Sequence, residues 1–451
     1  MKNTSTFQIV FLAVFILIAI VGVAVFAGFG GGTRVATPKA TIWGTVPGYY
    51  INETVRNINI SSTVIEVTYV QKDPETFQSE FVNALAEGNG PDAVLLSDDM
   101  LYTSRNKLQP IPYTTFALRD FQSTFIDGAT IFASKDGLLG IPLSVDPLVM
   151  YYNKNTLARS AVSRPPQTWD EMNLIGPVII KKTDTSTIQQ ALIPFGDYSN
   201  VNNAKAILST LLFQVGNNIT ATNSLTGQAY TVLDKDSSNS IANSANNSNE
   251  INNSTPNDGV TATESALDFY TSFANPAKPL YTWNRSLPNS LDAFLSGNLA
   301  FYFGFASELP QIQAKNPNLN FDVAQIPQNM SGNPNVYGKM FALAIVKQSK
   351  NAAGALGVIS KLTEQSAVQH FVDVSTLPPV RRDLLAQQPK DPFMTVFYRS
   401  AIQAKSWFDP SPKDSDMVFQ DMIESIVSGK SKLSNAVSDA KQKLDMLLKS
   451  N

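Results

Sequence analysis

Between residues 63 and 99, two strand-like runs flank a helix-like segment, and this order constrains the fold more than any other feature. "TVIEVTYV" is rich in β-branched residues, as strands are, and "PDAVLLSDD" is typical of a strand buried on both faces. In "DPETFQSEFVNALAEGNG" between them, Asp73 and Pro74 are suited to begin a helix and Gly88 to end it. Its apolar residues recur at every fourth position, at Phe77, Phe81 and Leu85. With "TIWG" as an earlier strand, the pattern predicts a parallel α/β sheet.

Parallel sheets of this kind bind ligands beyond the carboxyl ends of their strands. Asp98 and Asp99 lie at such an end. We expect a loop cap and one acid facing a ligand here, in preference to a divalent cation site.

The length and composition of the chain exclude several classes of function. A chain of 451 residues exceeds what one core usually covers, so two or more lobes are expected. A net charge of -3, from 34 basic and 37 acidic residues, argues against nucleic acid as the main partner. Cysteine is absent and His370 is the single histidine, which excludes thiolate nucleophiles, zinc fingers, iron-sulfur clusters and Ser-His-Asp triads. We predict no cofactor and no metal site, and assign His370 no role.

The amino-terminal region contains an uncharged apolar stretch from Phe7 to Phe29, about the 20 residues that a membrane crossing needs. A cleaved signal peptide is the alternative, but its apolar region normally runs only about 7 to 15 residues. Residues 1–38 are therefore predicted to be a signal anchor, or transmembrane helix, and a linker. The expected location is the cell membrane, with a single-pass anchor and the large domain outside.

Composition changes abruptly at about residues 217–262, where an Asn/Ser-rich insertion is too polar to bury a core. "QAYTVLD" within it is a candidate hairpin strand, and a helix is expected near "ESALDFYTSFA". Two amphipathic helices, separated at Gly429, are predicted at the C-terminus.

Aromatic residues beside acids indicate a sugar site, because sugar rings stack on aromatic faces while their hydroxyls hydrogen-bond to carboxylates. Trp43, Trp283 and Trp407 lie at strand or loop ends, although each alone is more often structural. Trp169, at a helix start, is expected to pack structurally. Asp146 stands in the apolar run "DGLLGIPLSVDPLVMYYNK", so its charge must be paired, exposed, or used to hold a polar group.

Several phrases occur in a characteristic order: "KATIWGT", "FVNALAEGNGPDAVLLSDDM", "DGLLGIPLSVDPLVMYYNKNTL", "RPPQTWDEM", "DAFLSGNLAFYFGF" and "YGKMFALAIVKQSKNAAGALGVISKLTEQSAVQHFVDVSTLPPVRRDLL". Together they resemble the extracellular solute-binding proteins of ATP-binding-cassette transporters, in the group that includes the maltose-binding protein. The resemblance extends from Lys39 to the C-terminus, interrupted by the insertion.

The resemblance implies an α/β, two-lobed periplasmic-binding-protein-like fold of type II, preceded here by the transmembrane helix. The N-terminal lobe would comprise residues 39–147 plus 301–347, and the C-terminal lobe residues 148–300 plus 348–451 with the insertion. Crossing hinge strands, "PLSVDPLVM" and "NLAFYFGF", would join the lobes.

The resemblance also implies a set of residues that bind the ligand. Asp146 matches an acid that hydrogen-bonds sugar hydroxyls, with a cap on the Pro147 turn as the alternative reading. Arg381 matches a basic position near the cleft, although a surface salt bridge is equally compatible. The other ligand-binding candidates are Trp43, Asp98, Trp283, Tyr302, Phe305 and Trp407, with Tyr113 and Ser144 as weaker ones.

These features predict a membrane-anchored, monomeric receptor that captures a mono- or oligosaccharide between its lobes. It would deliver the sugar unaltered to the permease subunits of an importer. The alternatives are an envelope-anchored hydrolase using Asp98 and Asp146, and a sensor or adhesion module on the same fold.

Overall fold

The computed structural model describes residues 39–61, 66–223, 226–234, 261–330 and 334–450. The strands are β1 (Lys39–Gly44), β2 (Glu66–Gln71), β3 (Ala93–Ser97), β4 (Leu108–Gln109), β5 (Ala133–Ser134), β6 (Gly137–Leu138), β7 (Ile141–Asn153), β8 (Lys181–Lys182), β9 (Ile188–Gln190), β10 (Thr220–Thr222), β11 (Ala229–Thr231), β12 (Phe301–Phe305), β13 (Phe321–Ala324), β14 (Val336–Val346) and β15 (Ala404–Lys405).

The α-helices are α1 (Gly48–Ser61), α2 (Phe77–Ala86), α3 (Leu101–Ser104), α4 (Leu118–Thr124), α5 (Lys154–Arg159), α6 (Trp169–Ile179), α7 (Ala204–Gln214), α8 (Ala262–Ser272), α9 (Ser290–Leu295), α10 (Leu309–Lys315), α11 (Ala352–Leu362), α12 (Gln365–Ser375), α13 (Arg382–Leu385), α14 (Pro392–Ile402), α15 (Pro412–Val427) and α16 (Leu433–Ser450).

The described residues divide into two compact units. The smaller unit comprises those up to Leu95 together with Lys107–Gln109 and Leu343–Phe371. The larger unit comprises those within Leu96–Asn106, Pro110–Ala342 and Val372–Asn451. The division into lobes 39–147 plus 301–347 and 148–300 plus 348–451 stays a prediction.

The smaller unit contains the predicted parallel sheet. Strand β1 pairs in parallel with β2, where Ile42 lies opposite Tyr69, and with β3, where Trp43 lies opposite Val94. Every residue of β3 is buried, as its continuous apolar run predicts. The α/β class is therefore confirmed.

Two details of the smaller unit differ from the expectation. Helix α2 begins at Phe77 and not at Asp73, because residues 74–76 form a turn in which the Asp73 side chain accepts a hydrogen bond from the Glu75 N–H (2.8 Å). Helix α1, which connects β1 to β2, was also not predicted from the sequence. Its buried apolar side chains are spaced by four and three residues, at Ile51, Val55 and Ile58.

The long strand β7 is the centre of the larger unit's sheet. It pairs in antiparallel fashion with β12, where Met150 lies opposite Phe303, and with β13. Within this unit it also neighbours β14. All its residues except Tyr152 are buried, so the strand is covered on both faces. The two segments predicted as crossing strands thus form β7 and β12, and their hinge role stays a prediction.

Other predicted elements of the larger unit are confirmed. Strand β11 lies in "QAYTVLD" and pairs with β10 in a hairpin. Helices α15 and α16 are separated at Gly429, whose φ of 72° is one that glycine adopts without strain. Trp169 is buried at the start of α6, where its indole N–H donates to Gln214 Oε1 (2.7 Å).

Helix α8 begins with a capping box. The Thr261 hydroxyl accepts from the Glu264 N–H (3.1 Å), and the Glu264 carboxylate accepts from the Thr261 N–H (2.9 Å). We expect Thr261→Ala to lower the free energy of unfolding by about 1 kcal/mol, because one of these bonds is lost. Urea denaturation measures the change, and Thr261→Ser, which keeps the hydroxyl, is the control. An equal loss in both variants would contradict this account of the cap.

The predicted signal anchor at residues 1–38 lies outside the described residues, as does the part of the Asn/Ser-rich insertion from 235 to 260. Among the helices that are described, none combines the length and the apolar character needed to cross a bilayer.

Candidate functional site

A cavity of about 510 Å³ lies within the larger unit. This volume is in the range of about 300 to 1,000 Å³ that is usual for small-molecule sites. The residues that line it are Asp99, Tyr198, Ser199, Val201, Asn203, Ala204, Lys205, Ala206, Phe305, Tyr337, Lys339, Pro412, Asp416 and Gln420.

The ends and faces of a few elements supply this lining. Asp99 follows the carboxyl end of β3, and Phe305 is the last residue of β12. On β14, Tyr337 and Lys339 are two apart and therefore share one face of the strand. Residues 203–206 come from the start of α7, and residues 412, 416 and 420 lie four apart on one face of α15.

Lys339 and Asp99, which both line the cavity, form an ion pair, with Lys339 Nζ 3.0 Å from Asp99 Oδ2. The side chains retain 35% and 13% exposure. Burial acts to raise the pKa of Asp99, but Lys339 and the Ser97 hydroxyl outweigh it and hold the pKa below its ordinary value. In turn, Asp99 raises the pKa of Lys339, so the lysine is charged.

The neighbouring Asp98 is in a different environment. It is fully buried, and its carboxyl accepts from the Met340 N–H (2.8 Å) and the Ser406 hydroxyl. Burial and the adjacent Asp99 raise its pKa well above the ordinary value. Asp99, and not Asp98, is therefore the acid that faces the cavity.

A second cation in the lining, Lys205, is also paired. Its ammonium group donates to Asp409 Oδ2 (2.9 Å), the Pro412 carbonyl (2.7 Å) and the Ser415 hydroxyl (2.9 Å). Asp409 is 3% exposed, and its burial raises its pKa although Lys205 opposes this. Three partners thus hold the lysine beside the start of α15.

Aromatic and neutral polar groups complete the lining. The Tyr198 hydroxyl donates to Asp416 Oδ1 (2.6 Å). The rings of Phe305 and Tyr337 lie edge to face with their centroids 6.1 Å apart, at an angle of 67°. The lining therefore offers aromatic faces next to hydrogen-bonding groups.

Asp146 lies on β7 with only 6% exposure. Its Oδ1 accepts from the Ser307 N–H (3.0 Å) in the turn that follows β12. Burial raises the pKa of this carboxyl to about 6, Glu308 adds to the rise, and Ser307 and Lys339 oppose it. Asp146 is thus held by the protein itself, and its contact with a ligand stays a prediction.

Of the seven candidates in the larger unit, Phe305 is the one in the cavity lining. Trp283 is fully buried, and its indole N–H donates to Asn200 Oδ1 (2.9 Å). Trp407 is 4% exposed and packs on Phe419 at 6.0 Å. Tyr302 is fully buried, and its hydroxyl donates to Glu308 Oε2 (2.5 Å). In this structure these three rings belong to the hydrophobic core, and their contact with a ligand stays a prediction.

The remaining candidates have partners of their own. The Arg381 guanidinium forms a bidentate pair with Asp383 (3.1 and 2.8 Å), the geometry of the salt-bridge alternative. In the smaller unit, Trp43 is half-buried and Lys72 Nζ lies 3.9 Å from the centroid of its ring. Among the weaker candidates, the Tyr113 hydroxyl donates to the Ser134 carbonyl (2.5 Å), and the Ser144 hydroxyl is buried. Binding roles for these residues stay predictions.

Most of the lining was not predicted from the sequence. Asn203 and Lys205 stand in a segment without a motif, and Lys339, although part of the phrase "YGKM", was given no role; the partners of all three are far away in the chain. The one available signal was the position of Asp99 after β3. No group of three or more acids or histidines with a metal-binding arrangement is found in the part of the chain that the structure describes.

The comparisons with known proteins establish the family. The family model of bacterial extracellular solute-binding proteins matches residues 57–395, which is more than half of the chain. The chain belongs to this family. None of the curated protein sequences compared with this solute-binding protein matches it.

Solved structures show the same fold as this solute-binding protein. A cyclic α-maltosyl-1,6-maltose binding protein from Arthrobacter globiformis superimposes with a TM-score of 0.71 at 16% identity, over 92% of this chain and 100% of that chain. The sugar-binding protein MalE of Xanthomonas citri gives 0.69 at 16% identity, over 91% and 98%. The GacH receptor of Streptomyces glaucescens, studied with acarbose, gives 0.64 at 16%, over 92% and 99%. These likenesses confirm the α/β solute-binding fold.

Proposed function

We propose that this solute-binding protein captures a neutral carbohydrate at the cavity of its larger unit and delivers it to an importer of the ATP-binding-cassette type. The observation that carries the carbohydrate assignment is the pairing of charge around the cavity. Lys339 is bound to Asp99, and Lys205 to Asp409. An anionic solute would have to break one of these pairs to obtain a counter-charge, and breaking a buried pair is costly. A cationic solute would have to compete with the Tyr198 hydroxyl for Asp416.

A neutral polyhydroxylated solute avoids that cost. Its hydroxyls can donate to Asp99 and Asp416 and accept from Gln420 while the ion pairs persist. Its apolar C–H faces can pack on Phe305 and Tyr337. The structural relatives support the same class, since they include proteins that bind a maltose derivative or maltodextrin and one solved with mannotriose bound.

The finer parts of the proposal rest on the sequence. The apolar stretch from Phe7 to Phe29 supports a single-pass anchor with the large domain outside the cytoplasm. We also propose that the protein acts as a monomer and passes the sugar to permease subunits without chemical change. Asp146 is proposed to contribute to binding of the sugar.

A thermal-shift screen tests the ligand class. Neutral oligosaccharides such as maltotriose and mannotriose should raise the melting temperature, whereas sugar acids, amino acids and polyamines should leave it unchanged. Stabilisation by a charged solute alone would overturn the proposal. Chromatography of the sugar after incubation with the protein checks that the sugar is chemically unchanged. The appearance of shorter products would favour the hydrolase alternative.

Phe305→Ala is expected to weaken binding of the stabilising oligosaccharide about tenfold, because the exposed part of the ring that stacks on the sugar is removed. Isothermal titration calorimetry measures the dissociation constant. Phe393→Ala is the matched control, because Phe393 is also half-buried but packs against Phe321 at 6.1 Å and is absent from the lining. Equal affinities of Phe305→Ala and the unchanged protein would contradict the assignment.

A further inference from the structure

Glu308 is a half-buried carboxylate next to the cavity that is absent from its lining. It accepts hydrogen bonds from the Tyr302 hydroxyl (2.5 Å), the Phe305 N–H (2.8 Å) and Asn203 Nδ2 (2.7 Å). Burial raises its pKa, and these three donors oppose the rise. Two of the donors, Phe305 and Asn203, belong to residues that line the cavity.

The amide of Asn203 is oriented by these contacts. Its Nδ2 lies within reach of Glu308 Oε1 (2.7 Å), the Phe303 carbonyl (3.3 Å) and the Tyr302 hydroxyl (3.4 Å). The carbonyl can only accept, and so can the ionised carboxylate, so the amide nitrogen and not the oxygen must face them. Asn203 Oδ1 is therefore turned away from Glu308.

The backbone of Asn203 adds to this constraint. Its φ of 60° is in the left-handed region, which asparagine tolerates better than most residues. Helix α7 begins directly after it, and its side chain makes no capping bond to that helix. The Oδ1 atom is thus not used by its own helix, and the residue is part of the cavity lining.

We infer that Glu308 is a positioning residue for solute binding, which holds Asn203 Oδ1 as an acceptor for a hydroxyl of the bound solute. Glu308 acts through Asn203 and does not touch the solute. The inference rests on the proposed function in taking the donor to be a sugar hydroxyl. The fixed orientation of Asn203 would make the site specific for a hydrogen-bond donor of the solute, because an amide free to rotate would present a donor or an acceptor equally well.

A double-mutant cycle with maltotriose as the probe tests the inference. Glu308→Ala removes the carboxylate oxygen that accepts from Asn203 Nδ2 at 2.7 Å, so the amide loses the shortest of its three contacts. Asn203→Gly removes the amide while glycine keeps the left-handed backbone. We expect each variant to weaken maltotriose binding about tenfold in calorimetry, and the double variant to bind no more weakly than Asn203→Gly.

The outcomes separate a positioning role from a structural one. If Glu308 has only a structural role, its replacement should weaken maltotriose binding by the same factor whether asparagine or glycine stands at position 203. That result would overturn the inference. Unchanged affinity of Glu308→Ala would do so too. Glu364→Ala is the matched control, since Glu364 is 49% exposed in the smaller unit, and it should bind like the unchanged protein.

A measurement without ligand decides the point if maltotriose fails to bind, which would count against the carbohydrate proposal alone. Selective ¹⁵N-asparagine labelling gives a side-chain amide signal for Asn203, assigned by its loss in Asn203→Gly. We expect Glu308→Ala to shift this signal and to speed the hydrogen exchange of its protons about tenfold. An unchanged signal would show that Glu308 does not orient the amide.

Discussion

Replacing Lys339 by methionine is expected to lower the free energy of unfolding by about 2 to 3 kcal/mol. Asp99 would then keep its charge at 13% exposure without a cation, beside the fully buried Asp98. Breaking a fully buried pair costs about 3 to 5 kcal/mol, and the 35% exposure of Lys339 lets solvent screen part of that cost. Urea denaturation at neutral pH measures the loss.

Two further variants show whether the uncompensated charge of Asp99 causes the loss of stability. Asp99→Asn combined with Lys339→Met should recover most of the lost stability, because no uncompensated carboxylate remains. Lys315→Met, at an exposed position on α10, should change the free energy of unfolding by less than about 0.5 kcal/mol. If the double variant is as unstable as Lys339→Met alone, the loss comes from packing and not from charge.

Asp146→Asn is expected to make the protein more stable at neutral pH, by up to about 3 kcal/mol. The pKa of this carboxyl is about 6 in the folded protein, against an ordinary value of 3.8. From about pH 4 to pH 6 the folded state binds the proton more tightly than the unfolded chain does, so the free energy of unfolding falls as pH rises. Above about pH 6 the full cost of burying the ionised Asp146 carboxylate is present, and the neutral asparagine avoids that cost.

The variant keeps an oxygen that can accept from the Ser307 N–H. The gain in stability over the unchanged protein should therefore vanish near pH 4 and reach its full size above pH 6, in urea denaturation series at each pH. Asp136→Asn, at an exposed position, should show no such pH-dependent gain. A loss of stability in Asp146→Asn at pH 7 would mean that the ionised carboxylate is favoured by its surroundings, with Lys339 as the first candidate.

Local patterns were sufficient to predict several elements of the fold. Phe77, Phe81 and Leu85 are all buried because a spacing of four puts them on one face of α2. The same spacing rule applies to Ile51 and Val55, yet α1 was missed. Its segment has polar asparagines among the apolar residues and two tyrosines at its start, and it lacks a capping residue of the usual kind.

The cavity depended on contacts that no local pattern encodes. Successive residues of a strand point to opposite faces of the sheet, which would decide whether Asp98 or Asp99 faces the cavity. The chain, however, leaves β3 at this point and enters a 3₁₀ turn over Asp98–Met100, so this alternation no longer applies. Lys339, inside an apolar strand, finds its partner Asp99 some 240 positions earlier in the chain. The resemblance to solute-binding proteins identified the family correctly, but at such distant relatedness it could not fix which side chains face the cavity.

The burial of three tryptophan side chains determines what intrinsic fluorescence can report about this protein. Trp169, Trp283 and Trp407 are at most 6% exposed, and two of them hold their N–H groups against amide oxygens of the core. Their emission should be shifted to the blue in the native state and move to the red only as the larger unit unfolds. Intrinsic fluorescence is therefore a good reporter of denaturation in this unit, and occupancy of the cavity is better followed by heat or by an attached dye.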